Sequence, residues 1–168
     1  MEPTKIVSSD RIILLGLGFF GDPFASSGGW TEENEIGRLW SRFIKYCEHH
    51  ADQLAHVVEP GVSYELHIPH EETASTGHYE VFVGVQVERL EDVPVKLSVK
   101  VLPPASYAVF TLKGQQITSE DWLHEIQAWL TASDHQQAYA YSFQRYDSRF
   151  KGLDKIDESE LDVYVPVA

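Results

Sequence analysis

Two carboxylates stand where chemistry could be done. Glu65 lies within Ser63-Tyr64-Glu65-Leu66-His67, and Glu80 opens Glu80-Val81-Phe82-Val83-Gly84-Val85, each inside a pattern that alternates apolar and polar residues. A carboxylate in a cleft among aromatic rings can neutralise a cationic group. With its pKa raised by burial, it can instead take up and release a proton. Candidate rings are Phe82, beside Glu80, and, in the second half of the chain, Tyr146 and Tyr164, each of which offers a ring face and a hydroxyl together. Trp40 and Trp122 add two more, although both fall on apolar helical stripes, where tryptophan more often fills core than holds ligand. For both glutamates the competing reading is a solvated carboxylate on an outer face.

Other constellations carry less. His67, His70 and His78 are close in sequence. Zinc, however, wants three or four ligands in fixed geometry with a supporting shell, and no cysteine joins these histidines. Gly16-Leu17-Gly18 followed by Gly21 imitates a phosphate-binding glycine run, but a nucleotide cradle needs a helix directly behind the glycines. No metal and no cofactor are expected. Cys47 is the single cysteine, so no intrachain disulfide can form, and it falls on an apolar stripe as a small core residue.

The elements that must position these groups follow from periodicity. Lys5–Leu17 reads as one strand, and the glycines of 16–30, with Pro23, read as a long loop. Thr31 is a good N-cap for a helix whose stripe is Ile36, Leu39, Trp40, Phe43, Ile44 and Cys47, running to about His49. Val62–Ile68 alternates as a strand. Tyr79–Glu88 alternates more cleanly, its odd positions apolar enough to pack on helices and its even positions mixed, as the wall of a cleft would be. Then come Leu97–Leu102, the strand Tyr107–Leu112, and a helix capped by Thr118 with stripe Trp122, Leu123, Ile126, Trp129 and Leu130. Strands at Tyr139–Asp147 and Leu161–Val167 end the chain, with a charged loop from Ser148 to Ser159 between them.

The halves therefore carry one design twice, strand–helix–strand–strand, with a first unit at about 5–102 and a second at about 103–168. The pattern predicts a single α+β domain over 1–168. In it, two β-α-β-β units are related by a pseudo-twofold axis that leaves a central cleft. Laying the first strand pair over the second matches Glu65 with Gln144, Glu80 with Asp162 and Phe82 with Tyr164.

Composition bounds the function. Hydrophobic residues at 43% and aromatics at 12% mark a folded globular chain of 168 residues. A net charge of −13 with no basic run argues against nucleic-acid binding, which needs clustered Lys and Arg. The N-terminus lacks the layout of a signal peptide, and no apolar stretch approaches the ~20 residues that cross a bilayer. A cytoplasmic protein without a membrane partner is expected.

The segment Leu102-Pro103-Pro104-Ala105-Ser106-Tyr107-Ala108-Val109-Phe110-Thr111-Leu112-Lys113-Gly114 carries a family pattern. Taken with Trp122, Phe143-Gln144-Arg145-Tyr146-Asp147 and Leu161-Asp162-Val163-Tyr164-Val165-Pro166-Val167, it resembles the gyrase-inhibitor-like family, also called the AraC-type effector-binding domain. The first half agrees through Ile36–Phe43 and Val83–Val87. The resemblance implies a duplicated α+β domain, with two helices packed on a curved antiparallel sheet, whose central cleft binds small aromatic or cationic molecules. Members occur fused to DNA-binding modules in drug-responsive regulators and also alone. The usual acid of the family's second-unit strand is Gln144 here, and an amide cannot neutralise a buried cation. The acid would then have moved across the axis, to Glu65 or Glu80.

The leading expectation is a standalone binder of an apolar, aromatic, cationic ligand, lined by Trp40, Glu65, Glu80, Phe82, Trp122, Gln144, Tyr146 and Tyr164. An alternative implied by the resemblance is a hydrolase of strained, cyclopropane-bearing, DNA-alkylating natural products. Glu65 or Glu80 would then activate water, and Tyr146 or Tyr164 would stabilise departing charge. A third is a gyrase-inhibitor-like module that acts on a protein partner.

Overall fold

A computed structural model describes residues 1–168. Eight strands form one sheet: β1 (Lys5–Ser9), β2 (Ile12–Gly21), β3 (Ser63–Pro69), β4 (Tyr79–Val87), β5 (Ser98–Leu102), β6 (Ala105–Lys113), β7 (Ser142–Tyr146) and β8 (Glu160–Val167). Their order across the sheet is β1-β6-β8-β7-β3-β4-β2-β5, and every ladder is antiparallel. Three helices accompany them, α1 (Glu35–His49), the single turn α2 (Thr73–Thr76) and α3 (Asp121–Ala132). This is the expected α+β architecture with a central axis. The two units meet where β3 pairs with β7 and Glu65 faces Gln144.

The edge strands are exchanged. β1 precedes β2 in the chain yet pairs with β6, and β5 precedes β6 yet pairs with β2. The registers match, Ile12 opposite Leu102 in one ladder as Ala105 is opposite Ser9 in the other. Lys5–Leu17 is therefore two strands, broken at Asp10-Arg11, that lie at opposite ends of the sheet. The glycine segment differs from expectation too, because β2 runs on through Gly16 and Gly18 to Gly21. Gly16 is in register with Gly84, and a Cβ on Gly16 would stand 1.9 Å from the Val83 carbonyl oxygen. These glycines serve close backbone approach, not a loop.

One face of the sheet carries the helices. On it Val81, Val83 and Val85 of β4 pack on Leu39 and Phe43 of α1, as the odd positions of that strand required. Phe110, Leu112, Val163 and Val165 pack on Trp122 and Ile126 of α3. The inner face has no helix. There Ile12 and Leu14 of β2 meet Tyr107 and Val109 of β6 in one cluster with Leu66, Phe82 and Phe143, although β2 and β6 are five places apart in the sheet. The sheet must curl for them to touch, and the curl gives the domain a second core.

The helix caps correct the expected ones. Asn34, buried, caps α1: its Oδ1 accepts from the Gly37 N–H at 3.0 Å while its amide donates to the Gly29 carbonyl at 2.7 Å. Thr31 only accepts from the Glu33 N–H, one turn too early. Thr118 likewise stands before α3, whose first N–H donates to Ser119 Oγ at 3.1 Å. A short 3-10 segment, Leu153–Glu158, occupies part of the charged stretch before β8.

One rim of the inner face is a chain of ion pairs. Arg149 donates to Asp147 Oδ2 at 2.9 Å and to buried Asp162 Oδ2 at 2.6 Å, and Arg145 donates to Asp147 at 2.6 Å. The Arg149 hydrogen bonds hold the Asp147 carboxyl down to about 2, below its ordinary 3.8. The folded value lies below the unfolded one, so the stabilisation is complete above pH ~4 and is lost as pH falls through about 2. Asp147→Asn should therefore lower the urea-derived stability at pH 6 by about 2 kcal/mol and leave it nearly equal to wild type at pH 2. A difference that does not shrink with acid would refute this role.

Candidate functional site

Glu65 and Gln144 face each other at the centre of the sheet, on the face that carries the helices. Both are buried, 4% and 5% exposed. Two residues further along each strand stand His67 and Tyr146, and each turns back on its own neighbour. The His67 Nε2–H donates to Glu65 Oε1 at 2.7 Å, and the Tyr146 hydroxyl donates to Gln144 Oε1 at 2.6 Å. The two units thus build the same pair twice, with an acid in one and an amide in the other.

Helix α1 supplies the lid. Trp40 donates its indole N–H to Glu65 Oε2 at 2.5 Å, and its ring meets Tyr146 edge-on at 4.9 Å. Tyr79, at the start of β4, stacks on His67 at 5.6 Å, and Phe150 packs on Tyr146 at 5.0 Å with Trp30 behind it. Burial pushes the Tyr146 hydroxyl well above its usual range, and the neighbouring Glu65 carboxylate pushes it further. Tyr79 is raised by the same two causes. Both phenols therefore stay neutral donors beside the carboxylate.

The ion pairs single out Glu65. The chain buries two carboxylates, Glu65 and Asp162. Asp162 is held by the Arg149 guanidinium and the Thr111 hydroxyl. Glu65 touches no lysine or arginine, and its one ion-pair partner is His67. A buried carboxylate without a permanent cation is costly, and the cost falls when a cation arrives.

The other predicted residues divide between the faces. Trp40, Glu65, Gln144 and Tyr146 come together on the helix face. Trp122 is on that face as well, but as core beneath α3. Glu80, Phe82 and Tyr164 point to the inner face. Glu80 lies opposite Ile68 in the ladder and pairs with Lys100 at 2.6 Å and His70 at 3.4 Å. Phe82 is fully buried in the inner core. Tyr164 stacks on Phe143 at 4.7 Å and lines an inner cavity of about 230 Å³. Glu65 and Glu80 thus lie on opposite sides of the sheet and cannot share one water.

The overlay of the units also shifts by two residues beyond the centre. Glu65 pairs with Val83 as Gln144 pairs with Val163, so Phe82 corresponds to Asp162, and Glu80 corresponds to Glu160. Strand alternation is blind to a slip of two, which keeps every side chain on its face. Sequence reasoning missed Tyr79, Phe150 and the role of His67. Tyr79 was legible as an odd, helix-facing position of β4, whereas Phe150 lies in an irregular segment without a period. His67, His70 and His78 do not gather, and no group of three or more His, Cys, Asp or Glu converges as a metal site would need.

Comparison with known proteins places this geometry. Among solved structures, SAV2435 bound to tetraphenylphosphonium matches with a TM-score of 0.65 and 16% identity, over 100% of this chain and 94% of that one. The integron cassette protein VCH_CASS2 of Vibrio cholerae matches with a TM-score of 0.62 and 17% identity, over 98% and 95% of the two chains. The EcmrR C-terminal domain matches with a TM-score of 0.63 and 10% identity, over 98% and 96%. At such identities the likeness shows the shared fold. No curated protein sequence matches. No helix is long and apolar enough to cross a membrane. A family model described as integron-associated effector binding protein matches residues 5–167, from the first residue of β1 to the last of β8, with the Glu65–Gln144 pair at its centre. The chain belongs to that effector-binding family.

Proposed function

We propose that this protein captures an aromatic, lipophilic cation against Glu65, between α1 and the centre of the sheet. The observation that carries the reading is the buried Glu65 carboxylate, which has aromatic neighbours on several sides and no lysine or arginine. Trp40 covers it and must swing aside to admit the ligand, exchanging its N–H···O bond for contact between rings. A cation over the faces of Trp40, Tyr79 or Tyr146 gains about 0.5–2 kcal/mol from each ring, and the carboxylate fixes its position. Gln144 contributes an amide acceptor on the other side of the axis, so the site carries one negative charge and suits a monocation. The tetraphenylphosphonium complex of the similarly folded SAV2435 supports this ligand class. One isolated acid favours capture without turnover.

The test is thermal unfolding with tetraphenylphosphonium and with neutral triphenylphosphine oxide. The cation should raise Tm in a concentration-dependent way, by about 2–4 °C per 1 kcal/mol of linkage for a chain of this size. The neutral compound should do markedly less. Equal shifts, or none at millimolar cation, would overturn the reading.

A further inference from the structure

His67 is the one basic side chain that touches Glu65, and capture of a cation as described above gives it no part. Its Nε2 bonds to Glu65 Oε1 at 2.7 Å, while Trp40 occupies the other oxygen. The imidazole is 25% exposed, against 5% for the Glu65 side chain. Its Nδ1 has no partner in the protein, and no buried side-chain nitrogen or oxygen goes without one, so Nδ1 is reached by water. A proton can therefore arrive at Nδ1 from solvent while the bond to Glu65 stays in place. Tyr79 stacks on the ring at 5.6 Å, an arrangement that favours an imidazolium over a neutral imidazole.

The groups packed around His67 leave it that role. Glu65 is on its own strand, Tyr79 comes from β4, and Ser142 lies opposite on β7 with Tyr146 further along. Helix α1 brings Trp40 and, in the cluster that includes Tyr79, Cys47. Asp22, just past β2, is near enough to Tyr79 to act on its phenol. Burial pushes the Tyr79 and Tyr146 hydroxyls and the Cys47 thiol up, so all three stay neutral. The charge around His67 is thus negative, from Glu65 and Asp22, and neither pairs with a lysine or arginine. The second unit supplies the contrast. Tyr146 stands at the position equivalent to His67, and it donates to an amide, Gln144. The titratable imidazole accompanies the carboxylate, and a phenol that stays neutral accompanies the uncharged amide. Histidine ordinarily changes charge between about pH 5 and 8. Below that change an imidazolium balances Glu65 and a ligand cation meets like charge, whereas above it Glu65 is uncompensated.

We propose that the His67 proton is the resident cation of this site, and that a lipophilic cation is captured in exchange for it. The inference rests on capture at Glu65 and adds its regulation: one cation enters, one proton leaves His67 for solvent, and acid releases the ligand. By reciprocity, the factor by which protonation weakens the ligand equals the factor by which the ligand weakens protonation.

The experiment is calorimetric titration of the full chain with tetraphenylphosphonium between about pH 8 and about pH 5.5, in two buffers of different ionisation enthalpy. Affinity should fall by about tenfold or more across that range, and the protons released per ligand should rise toward about one as pH falls. Neutral triphenylphosphine oxide should change by less than about threefold. His67→Gln keeps a donor to Glu65 and cannot take up a proton. It should flatten the cation's profile to within about threefold and abolish the proton release. If that variant folds poorly, imidazole carbon NMR of the unmodified chain reads the same event. At about pH 5.5 tetraphenylphosphonium should convert His67 from imidazolium to imidazole. A cation bound equally at every pH, proton release that survives His67→Gln, or an imidazolium that persists under saturating cation would overturn the proposal while leaving capture at Glu65 intact. A neutral compound that follows the cation's profile would also overturn it. A cation that fails to bind even at about pH 8, where Glu65 is uncompensated, would overturn capture itself and the proposal with it.

Discussion

Gly16→Ala is expected to cost about 4 kcal/mol or more, a large part of the roughly 5–15 kcal/mol that holds a typical domain together. A single methyl group ordinarily overpacks a core by about 1–3 kcal/mol, because side chains can shift. Here the obstacle is backbone. The new Cβ would stand 1.9 Å from the Val83 carbonyl oxygen and 2.6 Å from the Gly84 Cα, so β2 and β4 would have to part. Those strands frame the half of the sheet on which α1, and hence Trp40, is seated. Gly18→Ala is the control. Its Cβ would find nothing nearer than 3.7 Å, and its stability should fall by no more than about 1 kcal/mol, the ordinary scale for a single substitution. Urea unfolding of both variants separates them. Equal midpoints would show that the close approach is not a constraint.

The same glycine explains where reading the sequence failed. Glycine is counted as a loop former because of its conformational freedom, and five glycines between 16 and 29 read as a long loop. Gly16 and Gly18 instead lie within a strand, and at Gly16 what matters is the lack of a side chain. Similarly, a one-dimensional pattern could show that Lys5–Leu17 is extended, but it carries no information on partners. The exchange of β1 and β5 between units is therefore invisible to it. Periodicities of 2 and 3.6 residues, by contrast, report burial directly. The odd face of β4 and the stripe of α1 were legible because Val81, Val83, Leu39 and Phe43 bury against one another.

The site was half legible for a related reason. Matching Ser63–His67 with Ser142–Tyr146 put Glu65 opposite Gln144, and the ladder has them paired. What alternation alone leaves open is which face of a strand turns toward the helices. Glu65 and Glu80 were equal candidates until β3 and β4 were seen to present them on opposite sides. The Glu65–His67 bond belongs to the same class of hidden fact. Residues two apart on a strand share a face, but only the geometry shows that they touch.

Glu65→Gln is the change that tests the account most directly, because it keeps the shape of the site and removes its charge. Trp40 can still donate to the amide oxygen, and His67 in its other tautomer can accept the amide N–H at Nε2, so the fold should be little affected. Affinities for tetraphenylphosphonium and triphenylphosphine oxide should be measured in wild type and variant at one ionic strength. The account predicts that the substitution weakens the cation by about 2 kcal/mol, roughly thirtyfold, and the neutral compound by less than about threefold. Glu80→Gln, on the other face, should leave both affinities unchanged. If Glu65→Gln weakens the cation and the neutral compound alike, or neither, the carboxylate at the axis does not read charge and the central claim is wrong.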